Sequence, residues 1–110
     1  MSVQDLNTAL VATQALQSVV DDALNKTADA DVVMELTVLS QHVQDIIVRL
    51  NNGLNAADDA AFFSAIITVK AQLPNLQDDV STIKSILADA DLAGQIIGHI
   101  GDIASTIMSL

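Results

Sequence analysis

At 110 residues the chain has the size of one domain, 1–110, and its 51% hydrophobic content with a mean hydropathy of +0.46 favours a packed core over disorder. A net charge of −10, with Lys26, Arg49, Lys70 and Lys84 as the only cations beside two histidines, argues against binding to phosphate backbones or to a resting anionic membrane. Cys, Trp and Tyr are absent, so the core must be aliphatic and unstapled, and only Phe62 and Phe63 could stack on a base.

The opening "MSVQDLNTAL" has neither a basic start nor an apolar run, so no signal peptide is read there and the cytoplasm is the default expectation. From it the first helix is expected over 3–25, with Val3, Leu6, Leu10, Leu16, Val20 and Leu24 on one broad face. Thr27-Ala-Asp-Ala-Asp31 then supplies acidic caps for a second helix over 31–51. Its seam, Leu36, Leu39, Val43, Ile46 and Leu50, alternates steps of three and four, and Asn51-Asn-Gly53 is the stop signal.

Asp58 and Asp59 open a third helix over 58–87. Phe62, Ile66, Val69, Leu73, Leu76, Val80, Ile83 and Leu87 hold one rhythm through Pro74, yet proline costs about 3 kcal/mol inside a helix. A break or sharp kink at 73–75 that keeps one core face reconciles the two. Ala88-Asp-Ala-Asp91 caps the last helix, over 91–109, whose seam is Ile96, Ile100, Ile103, Ile107 and Leu110. Residues from Leu16 onward also align without gaps to those from Leu76, an offset of 60, sharing Leu, Gln, Val and the Ala-Asp-Ala-Asp run. The fold expected is all-α: a small up-down antiparallel bundle of four helices, the third broken or kinked at Pro74.

The two histidines sit in parallel settings, His42 three residues before Asp45 and His99 three before Asp102. Residues three apart share a helix face, so two such pairs could in principle supply two nitrogens and two oxygens to a metal ion. Both histidines flank a seam, however, and both aspartates lie a step nearer solvent. Bundle metal sites instead project carboxylates inward, usually through Glu-x-x-His, and Glu35 is the only glutamate. Edge-of-seam packing is therefore the reading adopted, with His42, Asp45, His99 and Asp102 as a minority metal set and no cofactor expected. Catalysis is not expected either, because the chain lacks a Cys nucleophile, a phosphate loop and a nucleophile elbow.

The larger anomaly is apolar surface off the seams. Val33 and Val48 widen the second helix's apolar side, and Ile97 widens the last helix's, where Gly94, Gly98 and Gly101 thin one face. Gly94-x-x-x-Gly98 permits close helix approach. These six residues are the candidate contact surface of a non-enzymatic assembly protein, a homo-oligomer or the binder of a protein partner. Two alternatives use the same surplus: a toxin-like protein that enters membranes on triggering, and a bundle that stores a lipid or other apolar ligand.

Overall fold

A computed structural model describes residues 3–110. It has five helices: α1 (Val3–Lys26), α2 (Ala30–Leu54), α3 (Asp59–Lys70), α4 (Leu73–Ile86) and α5 (Ala90–Met108). No strand occurs among the described residues. Because α3 and α4 run on through a bend, the chain forms the expected all-α bundle of four helical arms, the third interrupted. Around the bundle α1 packs on α2 and α5, while α3 and α4 pack on α2 and α5 from the other side. Consequently α2 and α5 stand on a diagonal and are not neighbours.

Spacing explains the core. All five residues of each later seam are buried: Leu36, Leu39, Val43, Ile46 and Leu50 from α2, and Ile96, Ile100, Ile103, Ile107 and Leu110 at the C-terminus. The first helix contributes Leu6, Leu16 and Val20, with the small Ala9, Thr13 and Ala23 between them. Val3, expected on this face, is instead 56% exposed. Thr13 satisfies its buried hydroxyl by donating to the Ala9 carbonyl one turn back.

Aspartates start the helices as expected. Asp29 accepts from the Asp31 and Val32 amides, Asp89 from those of Asp91 and Leu92, and Asp58 from that of Ala61. Two expectations need correction. The bend lies at Ala71–Gln72, before 73–75, because Pro74 occupies the first turn of α4, where an amide proton is not required. All eight residues of the expected third-helix seam nevertheless turn to the core.

Gly53 does not stop α2, which runs on to Leu54 and is capped at Asn55. Its φ is not positive, so left-handed backbone is not its purpose. A Cβ there would lie 3.0 Å from Leu6 Cδ1 and 3.4 Å from Ala65 Cβ. Close packing of α1 and α3 on α2 is what calls for glycine.

Candidate functional site

Three features stand out on this scaffold. The first is a polar cluster between α2 and α4. His42 does not work with Asp45, whose carboxylate accepts from Arg49 one turn on at 3.0 Å. The His42 Nδ1 instead lies 2.6 Å from Asp79 Oδ2, on a carboxylate only 4% exposed. With Asp79 ionised, the imidazole N–H is the donor, and Nε2 of the part-exposed ring is left for solvent. Burial raises the Asp79 pKa, and His42 opposes the rise.

Glu35, one heptad before His42 on the same edge of α2, completes the cluster. Its pKa is raised to about 7, first by burial, then by the charge of Asp79 and a hydrogen bond to it, with His42 pulling the other way. A protonated Glu35 donating to Asp79 accounts for that hydrogen bond. Glu35 Oε1 is buried without a hydrogen-bond partner among the described residues, which costs less for a neutral carboxylic acid than for a carboxylate. The cluster thus sets three titratable groups together between two helices. None of Glu35, His42 and Asp79 lines the cleft described below.

His99 is half-buried on α5 and Asp102 exposed. Since α2 and α5 are diagonal, the His42/Asp45 and His99/Asp102 pairs are not brought together. Among the described residues no group of three or more His, Cys, Asp or Glu is placed to hold a metal ion.

The second feature is a cleft of about 530 Å³ where the α1–α2 and α4–α5 turns meet. Its apolar part includes Val19, Ala23, Val32 and Leu92. Asp22, Asp29, Asp89 and Asp91 contribute carboxylates and Lys26 an ammonium. The two Ala-Asp-Ala-Asp runs are therefore neighbours in space, and their caps match: Asp29 has φ −76° and ψ 121°, Asp89 φ −78° and ψ 101°.

The third feature is outer surface. Gly94, Gly98 and Gly101 are exposed, and a Cβ on any of them would meet nothing within 4 Å. Val48 and Val33 are exposed, by 54% and 36%, and Ile97 is half-buried. Phe63 and Ile67, one turn apart on α3, expose apolar side chains that no seam position accounts for. The stretch "AAFFSAIITVK" is apolar on every side of a helix, so one core-facing seam leaves apolar side chains outside it. Comparisons with protein-family models, with curated proteins and with solved structures find no match to this chain.

Proposed function

We propose that the chain is a non-enzymatic helical assembly protein that self-associates through the outer face of α5. The observation that carries this reading is the bare glycine face. Gly94, Gly98 and Gly101 cost about 1 kcal/mol each against Ala within a helix, and no neighbour inside the bundle uses the space they leave. Against a typical stability of about 5–15 kcal/mol, that loss is large. A second copy seated against the glycines would offset it through close backbone approach. Between Asp91 and Asp102 the exposed positions of this face carry no Asp, Glu, Lys or Arg, which suits the centre of an interface.

Charge sets a condition on assembly. Two protomers at −10 each repel, so association should strengthen as salt screens them. Light scattering across ionic strength tests this. Wild type is expected to form dimers or larger species as salt rises, and Gly98→Leu to remain monomeric with helical content intact. A wild-type monomer at every ionic strength, or a Gly98→Leu variant that assembles equally well, would refute the reading. Membrane spanning receives no support, because no helix among the described residues is long and apolar enough to cross a bilayer.

A further inference from the structure

We infer that the apolar cleft between the two Ala-Asp-Ala-Asp turns binds a small amphiphilic cation, a primary amine carried on a hydrocarbon chain. At about 530 Å³ the cleft has the volume of a small-molecule site. Val19, Ala23, Val32 and Leu92 give a hydrocarbon chain apolar surface to cover.

Charge complementarity selects the head group. Two helix C-termini, of α1 and α4, and two helix N-termini, of α2 and α5, meet at this end, so their macrodipoles largely cancel. What remains is the side-chain charge: Asp22, Asp29, Asp89 and Asp91 against Lys26. Asp29 and Asp89 each commit one oxygen, Oδ1, to capping and keep the other. Asp22 and Asp91 have no ion pair or side-chain hydrogen bond among the described residues, and neither has Lys26. An anionic amphiphile would bring its carboxylate or phosphate against four like charges. A neutral one would cover the carboxylates with hydrocarbon and gain nothing for their lost hydration. An ammonium satisfies both the apolar lining and the acidic rim.

The test compares octylamine, octanoate and 1-octanol, which share a chain and differ in head-group charge, by amide chemical-shift titration of the whole chain at neutral pH. Octylamine should bind saturably, with shifts centred on residues 19–32 and 86–95, and octanol and octanoate should bind far more weakly. The double variant Asp22→Asn/Asp91→Asn leaves both capping aspartates in place. It should weaken octylamine binding by about tenfold, as expected for two partly screened charge pairs. Lys26→Met should strengthen it. Octanol or octanoate binding as tightly as octylamine would overturn the assignment, as would an affinity unchanged in a folded double variant. Failure of octylamine to saturate any site would do the same.

Discussion

Asp79 carries a carboxyl group into the α2–α4 contact, where it meets the His42 imidazole and lies close enough to Glu35 for the two to influence each other's protonation. Its dependence on pH follows from Glu35. A carboxyl group whose pKa is raised on folding, here from 4.5 to about 7, binds more protons folded than unfolded. Its contribution to stability is therefore complete below about 4.5 and is lost as pH rises through about 7. Burial raises Asp79 as well, so its contribution has the same sign and begins to fall above its ordinary value of 3.8. Chemical denaturation between pH 4.5 and 7.5 should show wild type losing stability towards neutrality and Glu35→Gln losing much less. Equal slopes would show that Glu35 does not hold the proton. His42→Ala leaves Asp79 buried without its partner and should cost about 1–3 kcal/mol.

Part of this site is legible in the sequence. Heptad spacing puts His42 at the edge of a seam, where it lies half-buried, and pairs it with Asp45 only in the minority metal set. The structure pairs His42 across helices, and single-helix spacing carries no information about which turn of α4 lies opposite. Asp79 also flanks its own seam, between Leu76 and Ile83, and that was the available clue.

At the scale of elements, the glycines separate into two kinds. Gly53 is held between Leu6 and Ala65, whereas Gly94, Gly98 and Gly101 face open space. Alanine at any of the latter three should stabilise the isolated protomer by about 0.5–1 kcal/mol through helix propensity. At Gly53 the same gain is set against crowding of Leu6, so Gly53→Ala should yield less, and Gly53→Leu should be strongly destabilising. Thermal melts at low salt and low concentration, where protomers stay apart, check both statements. Asp29→Ala and Asp89→Ala should each cost about 1 kcal/mol, and by equal amounts, because their caps are alike.

Helix starts were readable because an aspartate cap is a local device. Helix ends were less so. Gly53 resembled a stop signal, but its place in the helix is decided by Leu6 and Ala65, which are remote in sequence. Pro74 marks the interruption of the third arm, and the bend precedes it because proline suits the start of a helix.

Across the whole molecule, the offset of 60 reappears in space: α2 begins at Ala30 and α5 at Ala90, and buried Leu36, Val43 and Leu50 correspond to Ile96, Ile103 and Leu110. The two equivalent helices end up diagonal, each meeting a different pair of neighbours. Heptad spacing made the core legible. It said nothing of which helices would be adjacent, so neither the cleft between the two turns nor the separation of the histidines could be foreseen.

Assembly through α5 is tested most directly by cross-linking. The chain has no cysteine, so one introduced thiol reports on one place. Gly98→Cys puts it at the centre of the bare face, and Gln41→Cys puts it on the exposed side of α2, across the bundle diagonal. Under mild oxidation at raised salt, Gly98→Cys is expected to form a disulfide-linked dimer rapidly while Gln41→Cys stays largely monomeric. Equal and slow cross-linking at both positions would mean that protomers meet only by random collision, and would contradict the α5 interface.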